Sequence, residues 1–89
     1  MANHQSAKKR YRQNLKKRAR NSARRSRVHT AERQLKEAIA AKDTGTIKDQ
    51  LLKTITEIMR ARTKGVLHRN TASRKVARLS RAANRALTN

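Results

Sequence analysis

Between Lys8 and Arg27, eleven of twenty side chains are cationic: Lys8, Lys9, Arg10, Arg12, Lys16, Lys17, Arg18, Arg20, Arg24, Arg25 and Arg27. A second set, Arg74, Arg78, Arg81 and Arg85, recurs at steps of four, three and four. On a helix such steps gather four guanidinium groups into one ridge about 60° wide. Their planar forks suit two-pronged contacts to phosphate and stacking on bases. Between the two sets lies Lys64-Gly65-Val66-Leu67-His68-Arg69-Asn70. A helix starting near His68–Asn70 would aim free N–H groups and the positive end of its dipole at an anion. This is the chemistry of gripping a polyanion, not of proton transfer or nucleophilic attack.

The charge map sharpens the point. Residues 1–31 hold 11 Lys or Arg and no acid. Residues 32–57 hold five bases and all five acids, Glu32, Glu37, Asp43, Asp49 and Glu57. Residues 58–89 hold nine bases and no acid, and the formal net charge is +20. An ordinary solvated surface interleaves the two signs. Two unbalanced blocks around a neutral middle predict two stretches that meet an anionic partner and one that serves folding.

Something must position those cations. The 89 residues suffice for one small domain. Setting aside Ala and Met1, 16 sizeable apolar side chains remain, enough for a thin core. The chain has no Pro and is rich in Ala, Arg, Lys, Leu and Gln, so it favours helix. Gly45 and Gly65 each stand where a helix end would place a left-handed residue, and two stops imply three helices. Asn3 or Ser6 is the expected start of the first helix, Thr46 the cap of the second, and His68 or Asn70 the cap of the third.

Apolar spacing agrees. Val28, Ala31, Leu35, Ala38 and Ile39 share one arc at 100° per residue. Ile47, Leu51, Leu52, Ile55, Ile58 and Met59 form a second, with Ile55 at its middle. Ala72, Val76, Leu79, Ala83, Ala86 and Leu87 form a third. The expected fold is all-α, an antiparallel three-helix bundle with an extended basic first helix. One domain covers 1–89, with a basic arm over 1–20 and the bundle over 21–89. The first helix is expected over about residues 5–42, with only its second half carrying a core stripe. The arm has nothing to bury and is expected to fray when free and to order on its partner. Val66 and Leu67 are expected to close the base of the core. His68 serves either as a contact or as a cap.

Several functions are disfavoured. Small-molecule sites are walled by apolar and aromatic side chains, and this chain has one Tyr, no Phe and no Trp. No small-molecule substrate and no cofactor are expected. There is no Cys, and His4, His29 and His68 lie far apart, so no metal is expected either. The acids look like surface partners for bases at +4, as in Glu32–Lys36 and Asp49–Lys53, which leaves no catalytic pair. No export or membrane-spanning segment is apparent, and Tyr11 and Leu15 are too little for an inserting face. No membrane partner is expected, and the chain reads as intracellular.

The main rival is a sequence-reading DNA protein. Lys17-Arg18-Ala19-Arg20-Asn21 and Arg24-Arg25-Ser26-Arg27 look like the basic region of a leucine-zipper factor. That family places its Asn seven residues before its Ser, whereas Asn21 and Ser26 are five apart. The difference turns one half by about 200° on a helix, so both halves cannot enter one groove. The heptads also meet Gly45 within two repeats of Leu35.

A broader resemblance runs along the whole chain. Met1-Ala2-Asn3, Ser6-Ala7-Lys8-Lys9-Arg10, Asn21, Arg24-Arg25-Ser26 and Thr30 resemble bacterial small-subunit ribosomal protein twenty. So does Lys64-Gly65-Val66-Leu67-His68-Arg69-Asn70-Thr71-Ala72-Ser73-Arg74, followed by Arg78-Leu79. The resemblance implies a non-enzymatic RNA-binding bundle that helps the small ribosomal subunit assemble, a monomer in the cytoplasmic ribosome. Its implied partner is 16S ribosomal RNA, bridged between the 5′ domain and the long penultimate stem. Carried over by position, the implied contacts are Lys8, Lys9, Arg10, Asn21, Arg24, Arg25, Lys64, His68, Asn70, Arg74 and Arg78. The residue pattern itself adds Arg12, Lys16, Lys17, Arg18, Arg20, Arg27, Arg69, Arg81 and Arg85. The chain departs at His4, His29 and Thr71, where many members carry Ile, Arg and Lys, and no contact is carried over there.

Overall fold

The computed structural model describes residues 2–88, with side chains from residue 4 onward. Three helices follow one another: α1 over Ala2–Ala41, α2 over Thr44–Thr63 and α3 over Arg69–Thr88. Short junctions fold them back antiparallel, and no strand occurs among the described residues. A 40-residue helix is about 60 Å long and a 20-residue helix about 30 Å. The molecule accordingly measures 67 × 21 × 14 Å. The bundle lies alongside the second half of α1, and residues 4–20 are exposed throughout. The arm is helical from its first turns, and no other element covers it.

The junctions differ from the sequence expectation in one place. At Gly65 the expected left-handed residue is present, with φ 76°. The Gly65 N–H donates to the Arg62 carbonyl (3.0 Å) and the Val66 N–H to the Ala61 carbonyl (2.8 Å). This is the paired closure of a Schellman motif, with Val66 and Ala61 both buried beneath it. At the end of α1 the same closure uses Lys42, at φ 57°, rather than Gly45. Lys42 N–H donates to Ile39 (3.1 Å) and Asp43 N–H to Ala38 (3.3 Å). Gly45 instead lies in the first turn of α2, one residue into the helix.

The caps move with it. Asp43, not Thr46, caps α2: its Oδ1 accepts from the Thr46 N–H (3.4 Å) and its Oδ2 from the Thr46 hydroxyl (2.6 Å). Asp43 was available because its extended backbone, at φ −87° and ψ 92°, already fits a cap. Neither Asn3 nor Ser6 starts α1, because the helix is already formed at Ala2. His68 caps α3, its Nδ1 accepting from the Asn70 N–H (3.1 Å).

Val28, Ala31, Leu35 and Ala38 of α1 are buried, with Ile39 partly so. Ala72, Leu79 and Ala83 of α3 join them, flanked by Val76, Ala86 and Leu87. Val66 and Leu67 close the base as expected. The stripe of α2 is turned from its expected centre. Its buried line is Ile47, Thr54, Ile58 and Ala61, while Ile55 sits at the edge and Leu52 and Met59 face solvent. The reason is Thr54, fully buried although polar. Its hydroxyl oxygen lies within donating distance of the carbonyls of Gln50 (2.7 Å) and Ala31 (3.1 Å). Gln50 Nε2 also donates to Ala31 (3.3 Å), so two α2 side chains clasp one α1 carbonyl. No buried side-chain nitrogen or oxygen lacks a partner among the described residues.

Two outcomes follow from this arrangement. Ile58→Ala removes a fully buried side chain and should cost ~2–5 kcal/mol, whereas Ile55→Ala at the edge should cost only about 1–2 kcal/mol. Urea denaturation of both variants checks the order. Equal losses would place the α2 stripe wrongly.

Asp43 supplies the pH dependence. The Thr46 hydroxyl, then the Thr46 and Gly45 N–H groups, hold its carboxyl below the ordinary value of 3.8. A lowered folded-state value stabilises the fold above the unfolded value, and that support is lost as pH falls below about 4. Asp43→Asn keeps an acceptor that does not titrate. Its stability should fall less than that of the unaltered protein between neutral pH and pH 2, as thermal melts would record.

Candidate nucleic-acid interface

The expected site residues lie on three surfaces. The first is the arm. Lys8, Lys9, Arg10, Arg12, Lys16, Lys17, Arg18 and Arg20 are all exposed along the free half of α1. Their stems ride on helical backbone, so the charges wrap the rod on every side. Where the rod enters the bundle, Asn21 and Arg24 become half-buried, seven and four residues before the buried Val28. The core line of α1 therefore passes from apolar to polar at this point. Arg25 and Arg27 leave the line on opposite sides. Arg25 borders His29, Glu32, Leu67 and Lys75 toward α3, while Arg27 borders Gln50, Lys53 and Glu57 on α2.

The second surface is the α2–α3 turn. Lys64 is the last-turn cap of α2, and Leu67 brings the turn against Arg25 and Val28 of α1. His68, Arg69 and Asn70 are exposed at the start of α3. The His68 ring accepts one of the free N–H groups there, so its cap role is present in the geometry.

The third surface is the α3 ridge. Arg74, Arg78, Arg81 and Arg85 are all exposed, and the buried Ala72, Leu79 and Ala83 occupy the opposite face. Arg78 and Arg85 lean over a groove between α3 and α1, floored by Ile39, Leu79, Ala82, Ala86 and Leu87. Lys36 and Lys42 of α1 line the same groove. Sequence reasoning passed over both because they belong to the neutral block. Only the return of α3, antiparallel to α2 and so parallel to α1, brings them beside its arginines. The structure thus unites the turn with Arg25, and part of the ridge with α1. It leaves the arm cations apart from both.

Charge pairing is selective. Glu32 Oε1 meets Lys75 Nζ across α1 and α3 at 2.9 Å, rather than Lys36 on its own helix. Glu37 meets Arg33 at 3.9 Å and Glu57 meets Arg60 at 3.5 Å. Asp43 caps α2. Asp49 makes no ion pair with Lys53 or any other base among the described residues. None of the bases picked out from the sequence is among the three that are paired. Such an unneutralised set, spread along a molecule 67 Å long, favours an extended polyanion.

Other chemistries find no constellation. Among the described residues, no three His, Asp or Glu side chains gather as metal ligands do. No helix among the described residues is long and apolar enough to cross a membrane. The apolar line of α1 is taken up by α2 and α3, which leaves no seam for a zipper partner.

Comparison with known proteins agrees with this geometry. Residues 2–84 match the family described as ribosomal protein S20. The small ribosomal subunit protein bS20 of Dinoroseobacter shibae is 52% identical over 81 residues, covering 91% of this chain and 92% of that one. Its counterpart in Syntrophobacter fumaroxidans is 49% identical over 84 residues, covering 94% and 98%. That of Sinorhizobium fredii is 54% identical over 80 residues, covering 90% and 91%. With a match over nearly the whole length, a three-helix fold and a free cationic surface, this chain belongs to the ribosomal protein S20 family, structural and non-enzymatic proteins of the small ribosomal subunit.

Proposed function

We propose that the protein binds 16S ribosomal RNA directly, as a monomer within the cytoplasmic ribosome, and stabilises the folding of that RNA as the small subunit assembles. The observation that carries this reading is the separation of charges. Four of the five carboxylates pair with Lys75, Arg33 and Arg60 or cap a helix, and every selected base is left without one. The arm, the turn and the α3 ridge then act as three grips held at fixed separations by helices.

Phosphate contacts dominate the interaction. A-form RNA has a deep, narrow major groove that side chains cannot read, so backbone oxygens and 2′-hydroxyls are what a basic helix meets. Specificity comes from shape, since only an RNA that presents backbones to several grips at once satisfies them together. Lys8, Lys9, Arg10, Arg12, Lys16, Lys17, Arg18 and Arg20 grip from the arm. Asn21, Arg24, Arg25 and Arg27 extend that grip to where the rod enters the bundle, and Lys64, His68, Arg69 and Asn70 grip from the turn. Arg74, Arg78, Arg81 and Arg85 grip from α3.

Replacing Arg74, Arg78, Arg81 and Arg85 together by Gln tests this. The bundle should stay folded, because all four are exposed and Gln forms helix well. Affinity for a 16S ribosomal RNA transcript should fall. Each lost phosphate contact lowers the log–log salt slope by ~0.7–0.9, so four should lower it by about 3. Changing Lys8, Lys9, Arg10 and Arg12 to Gln should lower the slope similarly. An unchanged affinity and slope for the α3 variant would make that ridge a solvated face only.

A further inference from the structure

Tyr11 is the one aromatic residue of the chain, and it stands on the arm with 66% of its surface exposed. Leu15, one turn along the same face, is 45% exposed. With Ala7 and Ala19 at the same four-residue step, they form a narrow apolar ridge on an otherwise cationic rod. The Tyr11 hydroxyl makes no hydrogen bond among the described residues. No other element reaches this part of α1.

Phosphate contacts alone give no use for a phenol ring held out in water. A nucleobase does, because aromatic side chains stack on the faces of bases that are not already stacked in a duplex. The neighbouring Lys8, Arg10, Arg12 and Lys16 bring an RNA backbone close to the ring, and no acid in residues 1–31 opposes it. We infer that Tyr11, backed by Leu15, is a stacking platform for an unpaired RNA base beside the stem that the arm grips. The inference rests on the proposed RNA-binding function and adds a contact that is independent of charge. The simpler reading is a Tyr–Leu pair that only supports its own helix. Tyr11→Leu separates the two, since it keeps an apolar pair and a good helix former while removing the aromatic face.

The test uses the full-length protein, its Tyr11→Leu and Tyr11→Phe variants, and a 16S ribosomal RNA transcript. The chain has no Trp, so its near-ultraviolet emission reports position 11 alone. Stacking predicts that saturating RNA quenches this emission. Tyr11→Leu should bind about 5- to 150-fold more weakly, the range for loss of one stacked base. Its salt slope should be unchanged, since no phosphate contact is lost. Tyr11→Phe should bind within about threefold of the unaltered protein, because the ring face remains. Equal binding by Tyr11→Leu, unquenched emission or a loss shared by Tyr11→Phe would overturn the stacking platform and leave the RNA-binding reading standing. Failure of the unaltered protein to bind the transcript would overturn both.

Discussion

A net charge of +20 must be held together by a core drawn from 16 sizeable apolar side chains, four of which are exposed, and the local choices of the structure answer to that imbalance. Repulsion among unpaired cations opposes the compact state. The bundle offsets it by burying Leu35, Ile47 and Ile58 completely and by placing carboxylates where helices meet or begin. Glu32 matters most among these. Its side chain is only 13% exposed, and Lys75 reaches it from another helix at 2.9 Å. A half-sheltered pair between helices is screened less by salt than the exposed Arg33–Glu37 pair on one helix. It also ties α3 to α1, the two helices of the bundle in least contact with each other.

Much of the fold was legible because periodicity reports which face is dry. The stripes of α1 and α3 emerged with Val28, Leu35, Ala72 and Leu79 in their observed places. The α2 stripe was displaced because hydropathy ranks Thr54 as polar. A threonine hydroxyl that donates to carbonyls above and beside it is satisfied in a core, and only the partner helix reveals that. The α1–α2 junction was misplaced for a different reason. Glycine is the usual left-handed residue, so Gly45 drew the stop signal. Lys42 takes that conformation instead, because Asp43 must be free three residues before Thr46 to cap the next helix.

The cationic surfaces were legible by counting, since a run without acids keeps its charge in any fold. What counting could not supply was adjacency. Lys36 and Lys42 look like members of a balanced segment until α3 folds back and sets Arg78 and Arg85 beside them. The partner of Glu32 was missed likewise. A base four residues along is always available to a helix, but Lys75 arrives from 43 residues away. Spacing rules describe one helix at a time, and these contacts belong to two.

The unbroken α1 has a metric consequence. A continuous helix converts residue number into length and angle together, at about 1.5 Å and 100° per residue. Lys8 and Arg25 are thereby fixed about 25 Å apart and at a set rotation about one axis. The rod works as a ruler that also keeps phase. Removing one residue from the arm would shorten it little, yet would turn every side chain ahead of the cut by roughly a quarter turn. For a surface recognised by shape, that rotation is the larger error. Length in this molecule is forgiving, and phase is not.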